Sequence, residues 1–484
     1  MLGIRLDRSL PRSLGSQLCD RLRELMLSGA LAAGSRLPST RELAHSLGIS
    51  RTLVLEAFEQ LEAEGYIEGR KGAGSFVVPG SSIVRKGRLA ARPGARDGAQ
   101  ERELRATAAI DAPVDFRTGM PALDLFPREA WARALAEAGR SMPVEAIGYG
   151  EGAGLHRLRE EIASFLFRSR GMSVSPDEVF VVSGISQALG LVSRALLGGG
   201  TKGARPRAVL ENPCQPALSG LLKREGVELV AARVDGEGLD PSRLPRDRSA
   251  LAFITPSHQY PLGPVLSAPR RMALVEWARA TDSIILEDDF DGDFRYGGAP
   301  LQPLRELDPG RVVYAGSFSK GFSPALRLGY AIVPPTLVEA WRACRELMDI
   351  HSCSFTQAAM ASLLASGAFE RHLRRMKKVY AARRAALLAA LDAAFGADIR
   401  VMGEAAGLHL ALRFEPPRFK GLRFDAATVS RIAARGAIVY PAARYAFAPY
   451  PGIERILLLG YGNLDSERIG RGVAALRDSA IVSA

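Results

Sequence analysis

The chain of 484 residues contains only four cysteines, and none has the spacing of a metal site or a disulfide pair. A disulfide-rich scaffold is therefore not expected. No apolar run reaches the length of a membrane span, and the first residues are too charged for a secretory signal. These absences favour a cytoplasmic protein. The hydrophobic share of 47% and the charged share of 24% are typical of globular chains, and the length allows two or three domains.

Lysine is also scarce, since only 8 of the 64 basic residues are lysines. A lysine inside a chemically suggestive motif therefore gains weight. The formal net charge is +12, and residues 1–100 carry a surplus of five, with 15 basic and 10 acidic residues. This surplus allows a polyanionic partner, but charge alone does not establish nucleic-acid binding.

The N-terminal segment has the periodicity of short helices. Leucines recur at helical spacing, at Leu14, Leu18, Leu22 and Leu25. This first helix should end near Gly29 or Gly34. Ser39 and Glu42 then have the spacing of a capping box, in which each side chain bonds the other residue's backbone amide at a helix start.

The next residues complete a recognisable supersecondary pattern. The capped helix should reach about Leu47, Gly48 turns the chain, and Ser50 caps another helix that runs to roughly Glu64. Residues 65–78 have the pattern of two short strands around a Gly-rich basic tip. Helix, tight turn, helix and β-hairpin in this order predict a winged helix-turn-helix.

A helix-turn-helix presents the start of its second helix to the DNA major groove. Residues at that start, on the preceding helix and at the hairpin tip could contact bases or phosphates of duplex DNA. They are Arg41, Ser50, Arg51, Thr52, Arg70 and Lys71. Any single basic residue among them could instead be an ordinary solvated side chain. The whole pattern favours DNA binding, because cap, turn, recognition helix and basic wing follow in order.

The segments that carry this pattern resemble the GntR-type winged-helix regulators across residues 12–78. The matching motifs are Leu37-Pro-Ser-Thr-Arg-Glu-Leu-Ala44, Gly48-Ile-Ser-Arg51, Ala57-Phe-Glu-Gln-Leu61, Glu64-Gly-Tyr66 and Gly72-Ala-Gly-Ser-Phe-Val77. The resemblance implies that Arg41, Ser50, Arg51, Thr52 and the wing contact DNA.

Beyond this unit the composition changes twice. Residues 79–113 are rich in Gly, Ser, Arg, Ala and Pro and are expected to form a linker. Residues 114–484 then alternate apolar β-branched runs with amphipathic stretches, which predicts an α/β domain with a mostly parallel sheet. The candidate strands are Val179–Ser183, Ala208–Leu210, Leu251–Ile254, Ser283–Glu287, Val312–Ala315 and Leu328–Val333.

The strongest chemical signal is Lys320, which follows the strand Val312–Ala315 within the motif Ser317-Phe-Ser-Lys320. A lysine at a strand-to-loop transition can form a Schiff base if burial or neighbouring cations lower its pKa. Ser317, Ser319 and Arg327 group around it in a way that suits a phosphate monoester. The alternative is a surface lysine near a buried salt bridge.

Acidic residues end another predicted strand, where Ser283-Ile-Ile-Leu runs into Glu287-Asp288-Asp289. A carboxylate at that position can pair with a protonated pyridine nitrogen. Together with Lys320 and its phosphate-binding neighbours, this indicates pyridoxal 5′-phosphate (PLP). Three weaker segments agree: Ser183–Gln187, whose amides and Ser186 can cradle a phosphate at a helix start, Thr255–Gly263, and the Gly-rich turn Tyr149–Gly154.

Residues 114 to about 478 resemble a fold-type-I aminotransferase. The resemblance implies that Lys320 is the Schiff-base lysine and that Asp288, rather than Asp289, partners the pyridine nitrogen. It assigns the cofactor phosphate to Ser186, Gln187, Ser317, Ser319 and Arg327. A GntR-type winged helix, a linker and this domain together resemble the MocR/GabR family of regulators, and the stretch 287–296 is especially similar.

The chain departs from these patterns at four positions. Phe290 replaces the usual tyrosine that bonds the cofactor's phenolic oxygen, and Tyr260 sits where aminotransferases often place an asparagine for the same oxygen. Gln215 stands where an aromatic ring often stacks on the cofactor. Leu458 replaces the arginine that anchors substrate carboxylates, for which Arg444 or Arg455 are weak substitutes. We therefore expect cofactor binding more firmly than turnover.

The sequence thus predicts a homodimeric PLP-linked transcriptional regulator that binds operator DNA and senses a small amine, an amino acid or PLP. A working aminotransferase with a DNA-binding appendage is the second reading, and a regulator with an empty dimerisation scaffold is the third. No metal site is expected, because four histidines lack any ligand pattern: His45, His156, His351 and His372. No motif identifies the effector, the operator sequence, or whether the protein activates or represses transcription.

Overall fold

The computed structural model describes residues 3–4, 6–8, 13–70, 73–78, 113–197, 206–247, 249–297 and 302–480. The chain separates into two compact units, Met1–Leu104 and Arg105–Ala484. The predicted linker 79–113 lies outside the described residues except for its last position, and so does Lys71.

The N-terminal unit is built from three helices and a hairpin, as predicted. They are α1 (Leu14–Leu27), α2 (Thr40–Leu47), α3 (Arg51–Ala63), β1 (Ile67–Arg70) and β2 (Gly74–Val77). The two strands pair antiparallel. Apolar residues of all three helices and both strands share one core, in which Leu18, Leu22, Val54 and Leu61 are fully buried. This unit is therefore a winged helix-turn-helix.

The start of α2 shows why its boundary could be read from sequence. The Ser39 hydroxyl accepts from the Glu42 amide, and the Glu42 carboxylate accepts from the Ser39 amide at 2.8 Å, which completes the predicted capping box. Gly48 ends α2 with φ of +64°, a left-handed conformation that disfavours a side chain. Ser50 then caps α3, because its hydroxyl accepts from the Leu53 amide.

The larger unit contains an eight-stranded sheet with the order β4-β11-β10-β9-β8-β5-β6-β7. The strands are β4 (Val179–Val182), β5 (Arg207–Asn212), β6 (Glu228–Asp235), β7 (Gly238–Leu239), β8 (Leu251–Ile254), β9 (Ile284–Asp288), β10 (Val312–Ser317) and β11 (Gly329–Ile332). β11 and the edge strand β7 point opposite to the other six strands, which are parallel to one another. The six predicted strands are all present.

Helices cover both faces of this sheet. The helices of this unit are α4 (Arg128–Ser141), α5 (Val144–Ile147), α6 (His156–Arg170), α7 (Ile185–Leu197), α8 (Pro216–Arg224), α9 (Ala268–Ala280), α10 (Val338–Met348), α11 (Ser354–Ala365), α12 (Ala368–Phe395), α13 (Ala426–Ala434) and α14 (Ser466–Ala480). The sheet is buried on both faces, as the near-continuous apolar strands require. No helix in the described ranges is long and apolar enough to cross a membrane.

A smaller antiparallel sheet completes the fold, in the order β12-β13-β16-β15. Its strands are β12 (Ile399–Met402), β13 (His409–Phe414), β15 (Tyr440–Pro441) and β16 (Ile456–Gly460), while β14 (Ala437–Ile438) pairs with β3 (Val114–Asp115). A second core lies between this sheet, α12 and α14. The parallel strands of the large sheet end at one common edge, which is where ligands bind in such α/β folds.

Candidate functional site

A cavity of about 190 Å³ lies at this edge of the large sheet. It is lined by residues from the strand ends and from the segment that follows β3. They are Thr118, Gly119, Ile185, Cys214, Gln215, Leu218, Phe253, Thr255, Tyr260, Asp288, Phe290 and Lys320. The structure therefore brings Lys320, Asp288 and Tyr260 to one cavity, together with the departures Phe290 and Gln215.

Lys320 follows β10 and extends toward the segment after β3. Its Nζ donates to the Gly119 carbonyl oxygen at 2.7 Å. Gly119 has φ of +74°, and a β-carbon there would lie 2.7 Å from Nζ, so a side chain at this position would displace the lysine. Burial lowers the pKa of Lys320, although the carboxylates of Asp291 and Asp288 oppose this. A lowered pKa makes the amine a better nucleophile at neutral pH.

Asp288 is the last residue of β9 and is 7% exposed. Burial raises its pKa, and the nearby carboxylates of Asp289 and Asp291 add to this, while Lys320 opposes it. Among the described residues no side chain or amide donates a hydrogen bond to its carboxylate. Asp288 is thus a buried acceptor facing a cavity without a partner from the protein, which suits a cationic ring N–H.

Tyr260 also lines the cavity, and its hydroxyl lies 2.8 Å from the Thr118 hydroxyl. Its ring meets that of Phe290 edge-on at 5.7 Å between centroids. The backbone amide of Tyr260 donates to the Thr255 hydroxyl, which in turn donates to Glu211 at 2.6 Å. Burial raises the pKa of Glu211 to about 7, although the Thr255 bonds oppose this. This network positions Tyr260 at the cavity, where its hydroxyl can supply the hydrogen bond that the Phe290 side chain cannot make.

The predicted phosphate-binding residues lie around the turn between β4 and α7. A β-carbon at Gly184 would lie 3.4 Å from the exposed Arg327 guanidinium. Arg327 has φ of +49°, an uncommon backbone conformation for a residue with a side chain. Ser186 lies in the first turn of α7 and is exposed. The Ser317 hydroxyl accepts from the Ser319 amide at 3.1 Å.

Gln187 has its side chain engaged elsewhere. Its Oε1 accepts from the Ser183 amide at 2.7 Å and from Arg345 at 2.6 Å, while its Nε2 donates to Asp349 at 2.8 Å. These bonds tie the start of α7 to α10. A side-chain contact from Gln187 to a phosphate remains a prediction and requires an exchange of partners.

Sequence reasoning missed three groups beside the cavity. His258 and Asp291 form a buried pair, with Nδ1 and Oδ2 2.8 Å apart, and the His409 ring lies 4.8 Å from that of His258. Burial lowers the pKa of His409 to about 3. Among the described residues this is the one group of three ligand-type side chains close enough to hold a metal ion. The signals were present, since Asp291 follows the acidic pair and His258 lies in the segment Thr255–Gly263.

A buried core residue occupies the position expected for the arginine that anchors a substrate carboxylate. Leu458 lies in β16, is fully buried and pairs with Ala411 and Tyr440. Arg444 is exposed on the short helix Ala442–Tyr445, next to Tyr445, whose ring meets Tyr260 at 5.6 Å.

The winged-helix unit presents most of its predicted DNA contacts to solvent. Arg41, Arg51 and Thr52 are exposed, and the Arg51 Nε donates to the Thr40 hydroxyl at 3.3 Å. Ser50 uses its oxygen lone pair as the cap of α3, which leaves its hydroxyl proton to donate. Arg70 pairs with Glu68 and its guanidinium lies 4.5 Å above the Phe76 ring. A phosphate contact by Arg70 therefore competes with Glu68.

The cavity in the larger unit fits PLP by the chemistry of its donors. Asp288 offers an unpartnered buried carboxylate, Lys320 an amine of lowered pKa, and Tyr260 a hydroxyl. The turn at Gly184 and the Arg327 guanidinium offer a cradle for a phosphate.

Comparisons with known proteins agree with both units. The sequence model of the family "Aminotransferase class I and II" matches residues 113–456, and that of the "Bacterial regulatory proteins, gntR family" matches residues 14–77. Among solved structures, the α-aminoadipate aminotransferase LysN of Thermus thermophilus, complexed with N-(5′-phosphopyridoxyl)-L-leucine, matches with a TM-score of 0.68 and 27% identity. That match covers 78% of this chain and 96% of the other.

Relatives similar over nearly the whole chain are regulators. The pyridoxine biosynthesis transcriptional regulator PdxR of Corynebacterium glutamicum is 32% identical over 99% of this chain and 98% of its own. The probable rhizopine catabolism regulatory protein MocR of Rhizobium meliloti is 32% identical, covering 98% and 95%. The transcriptional regulator TauR of Rhodobacter capsulatus is 33% identical, covering 96% of each chain.

Proposed function

The chain belongs to the MocR-type family of transcriptional regulators, and on this premise we propose that it binds operator DNA while its larger unit holds PLP and senses a small ligand. The ligand class is an amine or amino acid, or PLP itself. One observation carries the cofactor proposal: Lys320 and the unpartnered carboxylate of Asp288 line the same cavity. A reactive amine can combine with the aldehyde of PLP, and a buried acid can pair with its ring nitrogen. The two groups in one cavity therefore suit the two ends of this cofactor.

Bound PLP supplies an aldehyde that combines reversibly with amines and a ring that withdraws electrons. The chain's own residues position it. Asp288 accepts a hydrogen bond from the ring N–H, and its burial makes that bond strong. Tyr260 donates to the ring's phenolic oxygen in the place of the tyrosine that Phe290 replaces. Arg327, Ser317, Ser319 and the start of α7, with Ser186, bind the phosphate.

An effector amine would have to compete with Lys320 for the carbonyl group that bound PLP would supply. The displaced Lys320 amine already has the Gly119 carbonyl as a partner at 2.7 Å. Release of the lysine therefore does not leave a buried amine unsatisfied. Effector binding can change the DNA-binding unit only if the effector binds two conformations of the protein with different affinities.

The surface of the larger unit supports a homodimer. Exposed apolar side chains on two adjacent segments, 144–149 and 347–351, include Val144 at 80%, Tyr149 at 87% and Leu347 at 90% exposure. The two segments touch, because the Tyr149 ring meets the His351 ring edge-on at 6.5 Å. Exposed apolar clusters of this kind are typical of protein interfaces. A two-fold dimer presents two winged helices to a repeated operator sequence.

The second candidate is an enzyme, favoured by the lysine and carboxylate at the cofactor cavity. Against it stands Leu458, which places a buried methyl group where aminotransferases hold a guanidinium. The experiment that separates these functions is a visible spectrum of the PLP-treated, desalted protein, titrated with candidate amines and followed by an assay for keto acids. Spectral change without keto-acid release supports a sensor, whereas release supports an enzyme. A protein that retains no PLP supports the empty scaffold.

A further inference from the structure

A second cavity, of about 340 Å³, lies behind the cofactor cavity on the other side of β9. Side chains alternate along a strand, so neighbouring residues face opposite sides. Asp288 therefore lines the cofactor cavity and Asp289 lines the second one. None of the residues that line one cavity lines the other.

On one face of the second cavity, the acidic and basic side chains pair with each other. Arg170 lies 2.8 Å from Asp289 and 3.0 Å from Asp293, and the Tyr314 hydroxyl donates to Asp289 at 2.6 Å. Although burial opposes ionisation, Arg170 and the Tyr314 bond hold the pKa of Asp289 below its usual range. On the rim, Glu370 pairs with Arg168. Asp289 is therefore already compensated, whereas burial raises the pKa of Asp293 although Arg170 opposes this.

The other face carries three cations, of which Arg374 and Lys377 are exposed, and Lys377 also interacts electrostatically with Asp293. Arg295, Arg374 and Lys377 line the cavity, and within the described residues none of their side chains forms a hydrogen bond or an ion pair. The Arg295 Nε and the Ser169 hydroxyl are buried without an acceptor. A buried donor left unsatisfied costs free energy, so these two donors at one cavity point to a ligand that accepts from them.

One acceptor in the same wall defines the ligand further. Glu370 Oε2 is also buried without a partner, although the other oxygen of that carboxylate is bonded. A simple oxyanion cannot satisfy it, because it has no proton to donate. A hydroxyl group on the same ligand can.

We propose that this cavity is a binding site for a compact hydroxylated oxyanion, either a phosphate monoester or a dicarboxylate. Its anionic group lies against Arg295, Arg374 and Lys377, and its hydroxyl donates to Glu370 Oε2. The site is separate from the cofactor cavity and does not depend on PLP chemistry.

The test is calorimetric titration of the full-length, PLP-saturated protein with two probes, glycerol 3-phosphate and malate. Saturation with PLP fills the phosphate cradle near Arg327. The informative variant is R374Q/K377Q, and R375Q/K378Q is its matched control. Both pairs lie on α12 and remove the same two charges, but Arg375 and Lys378 do not line the cavity.

We expect at least one probe to bind the wild type, with the affinity lowered about tenfold or more in R374Q/K377Q and within about twofold of wild type in R375Q/K378Q. Preference for glycerol 3-phosphate or for malate assigns the anion class. The proposal is overturned if neither probe binds below about 10 mM, if both double variants weaken binding equally, or if R327Q abolishes it. The last result would place the anion in the cofactor's phosphate cradle. Failure of the protein to retain PLP would instead contradict the proposed function. The anion site would still be tested in that case, by the effects of R374Q/K377Q and R327Q on probe binding.

Discussion

Asp288 and Asp289 are consecutive residues at the end of β9, yet their carboxylates line two different cavities and have opposite pKa shifts. Burial raises the pKa of Asp288, which has no hydrogen-bond donor among the described residues. Asp289 is equally buried, but Arg170 and Tyr314 hold its pKa below the ordinary value. Because side chains alternate along a strand, Asp288 faces the cofactor cavity without a protein partner, whereas Asp289 faces the second cavity and is held by Arg170 and Tyr314.

Lys320→Ala should abolish covalent retention of PLP. After treatment with PLP, borohydride and proteolysis, mass spectrometry should find the pyridoxyl group on Lys320 in the wild type and nowhere in the variant. Lys223→Ala is the control, since Lys223 lies on α8 with its amine 5.9 Å above the Phe447 ring. Operator affinity of both variants without effector should equal that of the wild type. A label on Lys202 or Lys223 would make the site assignment wrong.

Asp288→Asn should stabilise the PLP-free protein while weakening its hold on PLP. The folded-state pKa of Asp288 is raised, so the carboxylate contributes a destabilisation that appears as pH rises from its unfolded pKa through its folded pKa. The amide removes this, and we expect the melting temperature at neutral pH to rise by ~2–5 °C. PLP affinity should fall, because an amide oxygen is a weaker acceptor for a charged N–H. A lower melting temperature would show that Asp288 has a structural partner.

Arg170→Gln should be strongly destabilising, since it leaves the buried Asp289 and the half-buried Asp293 without their cation. Removal of one partner of a buried ion pair costs about 3–5 kcal/mol. In the double variant R170Q/D289N part of this should be recovered, because the uncompensated charge is gone. Chemical denaturation of the three proteins measures it. The wild type should also lose stability as pH falls below the ordinary aspartate range, where Asp289 becomes protonated. Equal stability of single and double variants would contradict the assignment.

Arg51→Ala should weaken binding to a footprinted operator by about 1–3 kcal/mol if the side chain reads a base edge. Arg21→Ala is the control, because Arg21 is exposed on α1 and pairs with Glu24. Operator affinity of the wild type should fall steeply with salt. A change of less than a few tenths of a kcal/mol in Arg51→Ala would make Arg51 an ordinary surface charge.

Transamination should be slow or absent. An amino acid substrate needs its carboxylate fixed so that the reacting bond is oriented, and orientation can account for several kcal/mol of a barrier. Leu458 supplies no cation for this. The measurement is product formation from a panel of amino acids with 2-oxoglutarate or pyruvate. Repeated turnover that disappears in Lys320→Ala would show that the regulator is also an enzyme.

Local signals in the sequence predicted much of the fold. The capping box at Ser39 and Glu42, the turn at Gly48 and the six apolar strands depend on neighbours in the chain, and the structure confirms them. Lys320 and Asp288 were predicted to lie together because each follows a predicted strand of a parallel sheet and such strands end at one edge, and both line one cavity.

Contacts between distant segments could not be predicted. The Gly119 carbonyl that accepts from Lys320 is 201 residues away in sequence, and no local pattern identifies it. Gln187 was predicted to face a phosphate, but its partners Arg345 and Asp349 come from a helix about 160 residues later. The second cavity was not foreseen for the same reason, since its wall combines α6, the end of β9 and α12.

The central claim is that ligands act on DNA binding through the cavity that contains Lys320. The most direct test is the operator affinity of PLP-loaded wild type and of Lys320→Ala, measured with each member of an amine and amino acid panel. We predict that at least one amine changes the wild-type dissociation constant about fivefold or more and leaves the variant unchanged. An equal change in both proteins, or a wild type that retains no PLP after desalting, would contradict the account.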